Sequence, residues 1–336
     1  MAIYLIPAQP SVTFLKTYNL SRYTVEVDEK MQNYIETVIY TIEPLSIIIA
    51  FLFNLLCILI MFAKEFKNKI YPNMQFKLFF KCILCSLNFY FRNTYCSFCT
   101  SAHYNTLVNH FFKIYLVKVT GLLLTFIIIL IELSITYDRL CLLQNKTNSF
   151  TKKTIKSLVP IYLIISAILS SPELLKFRVQ NKFDTVYERI STPLEKNLYL
   201  YSYSLVTLIG VVLSGPFYSV LIGRVIHKFN QFVKTKKLQR SSNTNVKGNK
   251  ISTRLTKIVI MSGINYIIAF GCLSTFGIIR NIEIYMGIAY NPYTILIFRF
   301  CFFFQYLSMF INDMILITYD KNFKTVFIRF FCTRQH

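Results

Sequence analysis

The sequence predicts an all-α membrane protein, a seven-transmembrane helix bundle followed by a short amphipathic eighth helix. Three observations carry that prediction. Only 15% of the 336 residues are charged, against about 25% in soluble domains. Hydrophobic residues make up 54% of the chain and gather in long runs, several without a single charge. The remaining charge is one-sided, with 37 Lys+Arg against 15 Asp+Glu and a net of +22. A soluble basic fold binding nucleic acid would carry that excess on one face, whereas here the basic residues lie between the apolar runs.

Crossing a bilayer core of about 30 Å takes about 20 helical residues, because no backbone polar group can stay unpaired in lipid. Seven spans are expected. The first covers Val38–Phe62 and is uncharged from Leu45 to Phe62. The second, Met74–Phe91, contains Lys77 and Lys81 in its first two turns, where a long stem is expected to snorkel to the interface. The third covers Phe111–Tyr137, with an uncharged centre from Val119 to Ile131. The fourth, Leu158–Ser171 extended through Pro172, is short. The fifth, Leu198–Gly223, and the sixth, Ile258–Ile279, carry no charge. The seventh, Tyr293–Tyr319, is apolar but interrupted by Arg299, Asn312 and Asp313.

Loop charges orient the bundle. With the N-terminus outside, segments 63–73, 138–157, 227–257 and 320–336 face the cytosol and carry 21 Lys/Arg, against 10 in the external segments. Basic loops stay on the cytosolic side, so the N-terminus is expected outside and the C-terminus inside, which requires an odd number of crossings. Residues 1–37 then form an extracellular tail, 38–319 the seven-transmembrane domain, and 320–336 the amphipathic helix and cytoplasmic tail of a multi-pass plasma-membrane protein. Met1–Tyr40 lacks a signal-peptide pattern, so the first span is expected to serve as signal anchor. Asn19-Leu20-Ser21 is a glycosylation sequon in the external tail. The polar, basic stretch Arg240–Lys250 is expected to be mobile. Of nine cysteines, most lie in apolar runs (Cys57, Cys82, Cys85, Cys272, Cys301), where a small buried hydrophobe is expected.

Several short motifs fall in a consistent order. Asn54 is the lone amide of the first span, and Ser134–Leu140 (SITYDRL) closes the third with Asp138-Arg139. Ser170-Ser171-Pro172 ends the fourth, and Pro216 lies in mid-fifth. Asn312-Asp313-Met314-Ile315-Leu316 ends the seventh, followed by Asp320-Lys321-Asn322-Phe323-Lys324 and Cys332. This layout resembles the rhodopsin-like G-protein-coupled receptors. The resemblance puts Asp138 and Arg139 on the family's Asp/Glu-Arg-Tyr triplet and Asn312 on the asparagine of Asn-Pro-x-x-Tyr. It puts Phe323-Lys324 on the Phe-Arg pair of the eighth helix, with Cys332 as a candidate for palmitoylation. The departures are Leu140 for the triplet's tyrosine, and Asp313 and Leu316 for the proline and tyrosine of the helix-seven motif. There is also no helix-six proline, no helix-two aspartate and no cysteine for the disulfide of the second external loop; Cys96 and Cys99 are left to pair with each other.

The resemblance implies that Asp138 restrains Arg139, which then meets a heterotrimeric G protein when the sixth helix swings outward. Asn54, Glu132, Pro216, Asn312 and Asp313 form the expected activation network. Glu132 lies two turns deeper than Arg139 and is expected either to be protonated or to pair with polar groups near Asn312 and Asp313. Lys113, Lys118 and Arg299, in the outer halves of the third and seventh spans, are expected to line a basic ligand mouth, favouring a peptide or other acidic ligand. Gly121 stands where amine receptors carry an aspartate, which disfavours a monoamine. Membrane lipids are expected partners of the basic cytosolic segments; no nucleic acid, cofactor, metal or enzymatic activity is expected, since the four histidines form no cluster. Two other classes compete, a seven-helix ligand-gated chemoreceptor channel of opposite orientation and a membrane transporter.

Overall fold

The computed structural model describes residues 41–63, 66, 70–93, 119–144, 155–172, 193–241, 253–285 and 292–332. Among these residues the chain is helical with no strand. The elements are α1 (Glu43–Met61), α2 (Ile70–Asn93), α3 (Thr120–Leu143), α4 (Ile155–Ser170) and α5 (Pro193–Val212). A π segment (Leu213–Phe217) leads into α6 (Tyr218–Ser241), followed by α7 (Thr253–Tyr285), α8 (Pro292–Tyr319) and α9 (Lys321–Cys332).

Five stretches are long and apolar enough to cross a membrane: Glu43–Met61, Thr120–Leu143, Ser204–Thr235, Thr253–Cys272 and Phe300–Tyr319. They lie on the expected first, third, fifth, sixth and seventh spans. The apolar Ser157–Ser170 is shorter than a full crossing, and α2, with its lysines, is not among the five. The outside of the bundle is unlike that of a soluble protein. On α1 the exposed stripe is Leu45, Ile48, Leu52, Leu55 and Leu59, whereas Ser46 and Asn54 are buried. On α4, Ile161, Ile164, Ile165 and Ile168 are exposed while Tyr162, Ser166 and Ser170 face inward. Apolar stripes outside and polar groups inside fit a lipid solvent. The chain is a multi-pass membrane protein, helical in its described residues.

The helices close into a ring. In it α1 packs on α2, α2 on α3, α3 on α6, α6 on α7, α7 on α8, and α8 returns to α1. Helix α4 leans on the outside of α3, where Ser134 and the hydroxyl of Tyr162 share a hydrogen bond. The core is filled by α3, whose Phe126, Ile127, Ile129 and Ile131 are almost wholly enclosed.

Three local features position the site. Pro216 has no N–H for the carbonyl four residues back, and the chain widens there into the π segment, where Ser214 Oγ donates to Gly210 O at 2.7 Å. Helix α3 continues past Tyr137 to Leu143, because Leu140 and Leu143 bury against Leu221, Val225 and Phe229 of α6. Asp138 and Arg139 therefore sit inside the helix and not at its end. Helix α9 is capped by Asp320, whose Oδ1 accepts the N–H groups of Asn322 (2.9 Å) and Phe323 (3.3 Å), as an N-cap acid should.

Expectations about the extracellular tail with Asn19, the Cys96–Cys99 pair, Lys113, Lys118 and the loop after Ser241 fall outside the described residues. Cys272 is exposed on α7, whereas Cys57, Cys82, Cys85 and Cys301 are buried.

Candidate functional site

A buried polar network runs through the interior of the bundle. At its centre Lys77 Nζ of α2 lies 2.8 Å from Glu132 Oε2 of α3. Tyr218 of α6 donates to Glu132 Oε1 at 3.4 Å and shares a second hydrogen bond with Thr136 Oγ1 at 3.2 Å. Its ring meets Tyr266 of α7 edge-on at 4.9 Å, and Tyr266 stacks on Phe270 at 4.1 Å. One carboxylate thus joins α2, α3 and α6, and an aromatic ladder continues into α7.

This corrects two expectations. Glu132 is not paired with Asn312 and Asp313; its partner is Lys77. Lys77 and Lys81 in turn do not snorkel outward. Both are buried, because in this ring their face of α2 points at α3 and α8. The physical reason is compensation: an ammonium in a low-dielectric interior is tolerable beside a carboxylate, and Glu132 supplies one two turns deeper than Arg139.

Beside this centre Asn265 Nδ2 of α7 donates both to Asn312 Oδ1 and to Ser308 O of α8, each at 2.9 Å. A cavity of about 20 Å³, enough for one water molecule, is lined by Lys77, Ser262, Asn312 and Asp313. Asp313 is 2% exposed, and its Oδ2 has no hydrogen-bond partner among the described residues, nor does Lys81 Nζ. The two act on each other electrostatically. Two buried lysines therefore face two buried acids, Glu132 and Asp313. Asn54 belongs to α1 and is fully buried; its Nδ2 donates to Ala50 O at 2.5 Å.

Arg139 lies nearer the end of α3 that carries the basic segments. It is buried, and its Nε has no hydrogen-bond partner among the described residues. Asp138 and Tyr71 both act on it electrostatically. Tyr71 in turn donates to Asp320 Oδ2 at 2.6 Å, tying the start of α2 to the start of α9. Phe66 closes the same joint, with ring centroids 4.9 Å from Tyr71 and 5.7 Å from Phe323.

The structure thus brings Glu132, Asn312 and Asp313 into one interior region and keeps Arg139 apart from them by two turns of α3. Pro216 is at the π segment, just before Tyr218. Gly121 is buried in the first turn of α3, where Thr125 Oγ1 donates to its carbonyl at 2.8 Å. Arg299 is carried by α8 and Cys332 ends α9, but their side chains lie outside the described residues. Lys77, Tyr71, Tyr218 and Asn265 were not anticipated as site residues. Two lysines four apart in a span with no other charge, and a lone amide in the sixth, were the available signals. Among the described residues no set of three metal-ligating side chains comes together. No known protein-family model matches the chain, and no curated protein compared with it matches significantly.

Proposed function

We propose that the chain is a seven-helix receptor of the plasma membrane that binds an extracellular ligand and activates a heterotrimeric G protein. The second and fourth spans of that bundle are α2 and α4, and α9 is its interfacial eighth helix. The observation that carries the reading is Arg139: a buried guanidinium beside Asp138, at the basic end of the central helix, with a nitrogen still free to bond. A planar fork of this kind is suited to carboxylates and backbone carbonyls of a docking partner. The π segment at Pro216 and the Asn265–Asn312 link supply places where α5–α6 and α7 can shift against the core. In this reading the N-terminus with Asn19 is extracellular, Cys332 is palmitoylated, and Lys113, Lys118 and Arg299 favour a peptide or other acidic ligand.

The test is G-protein recruitment in cells, measured for wild type and Arg139→Ala at equal surface expression. Recruitment by wild type and its loss in the variant support the reading; no coupling in either form sinks it.

A second reading, a ligand-gated channel or a transporter, draws on the buried cluster of Lys77, Lys81, Glu132 and Asp313, since intramembrane ionisable groups mark ion pathways. Ligand-evoked current without G-protein coupling, or an N-terminal tag inaccessible on intact cells, would favour it.

A further inference from the structure

A cavity of about 370 Å³ opens where the start of α7, the end of α8 and the start of α9 meet. Its volume falls in the range of small-molecule sites. Arg254, Lys257, Lys321 and Lys324 line it together with Thr318 and Tyr319, and among the described residues no carboxylate does. Four cations in one concavity repel each other, and neither α7 nor α9 has an acidic residue in its first turn to offset them. Asp320, the carboxylate adjacent in sequence, is buried and committed to Tyr71 and to the α9 cap. All four cations are exposed and so stand ready for an anion from outside the fold.

We infer that this cavity binds the headgroup of a lipid carrying more than one phosphate, in the leaflet that faces α9. The inference rests on the cytosolic placement of that end proposed above. The lining faces decide between a lipid and a free phosphate. Lys257 shares its face of α7 with Ile264 and Ile268, seven and eleven residues on, and both are exposed. Thr318 shares its face of α8 with Ile311 and Met314, which are exposed as well. Residues at those spacings stack along one side of a helix. Apolar stripes on two neighbouring helices therefore rise out of a basic cavity, which gives acyl chains a path and the phosphates a seat. Tyr319, half exposed at the cavity edge, has the amphipathic ring of residues found at headgroup depth. Basic pockets between helices on the cytosolic side bind such headgroups.

The experiment uses the full chain in phosphatidylcholine nanodiscs doped with fluorescent phosphatidylinositol bisphosphate, with energy transfer from a dye on the protein as the readout. Lys257→Gln/Lys324→Gln removes two cavity cations. Arg224→Gln/Lys234→Gln removes two exposed cations of α6 outside the cavity. Each cation near an anionic headgroup accounts for about a fivefold change in binding, so the cavity variant should lose roughly 25-fold and the control less than about threefold. Equal losses in both would reduce the effect to diffuse surface charge and overturn the site. Soluble inositol phosphate competing as tightly as the lipid would overturn the lipid assignment in favour of a free phosphate. Unchanged lipid binding in the cavity variant, with G-protein recruitment lost, would overturn it in favour of an acidic protein segment. Thermal unfolding verifies that both variants fold. Nanodiscs present the lipid on both faces, so binding does not depend on orientation; the topology reading fails separately, if a C-terminal tag is labelled on intact cells.

Discussion

Lys77 of α2 and Glu132 of α3 form an ion pair of 2.8 Å with both side chains buried. Removing one member leaves an uncompensated charge in a low-dielectric interior, which costs about 3–5 kcal/mol, whereas replacing both by apolar groups of similar volume is often neutral or better. Lys77→Met should therefore lower the thermal midpoint in detergent sharply. The double variant Lys77→Met/Glu132→Leu should recover most of the loss. A double variant no more stable than the single would disprove the pairing.

Tyr71 and Asp320 hold α9 against the bundle. A hydrogen bond to a charged group contributes about 1.5–3 kcal/mol, so Tyr71→Phe should destabilise by that order. Asp320→Asn keeps an acceptor for the amides of Asn322 and Phe323, and Asp320→Ala does not; loss of such a cap alone costs about 0.5–2 kcal/mol. Hydrogen exchange along α9 should accelerate in the order wild type, Asp320→Asn, Asp320→Ala. The reverse order for the two variants would reject Asp320 as the cap.

Gly263 lets α7 approach α6. A Cβ there would clash with Ile222 Cδ1 and stand 2.9 Å from Ile222 Cγ1 and 3.1 Å from the Tyr218 hydroxyl. The contact is with a flexible side-chain end, so Gly263→Ala should be tolerated with a cost of about 1–3 kcal/mol from overpacking. Ile222→Val in the same chain should relieve part of it. Additive losses, measured by thermal unfolding, would mean that the two residues do not share this space. Within α7, which runs from Thr253 to Tyr285, the glycine is a point of close packing.

Asn265 joins α7 to α8 through Asn312 and Ser308. Interhelical hydrogen bonds in membranes average about 0.6 kcal/mol, so Asn265→Leu should cost little stability. Its larger effect should fall on the equilibrium between arrangements of α7 and α8, read as a changed basal G-protein recruitment. Unchanged recruitment would confine the bond to a structural role.

The apolar runs were legible because bilayer solvation acts on composition: about 20 apolar residues suffice to mark a span whatever its neighbours are. The five clearest runs are the five helices long and apolar enough to cross. The end of α3 was misread at Tyr137 because the charged pair looks like a boundary, whereas Leu140 and Leu143 find cover on α6 and carry the helix onward. Asp320 could have been read as an N-cap before Lys321, but its bond to Tyr71 spans 249 positions and has no local signature.

By itself, then, the sequence determined that this chain is helical, lipid-embedded and basic on its loops, since these follow from hydropathy and charge, which are local. Only the tertiary structure decided where the interior charges go. Lys77 and Lys81 read as interfacial when α2 is considered alone. The closing of the ring turns their face toward Glu132 and Asp313, and a charge inside a membrane protein goes to the nearest opposite charge.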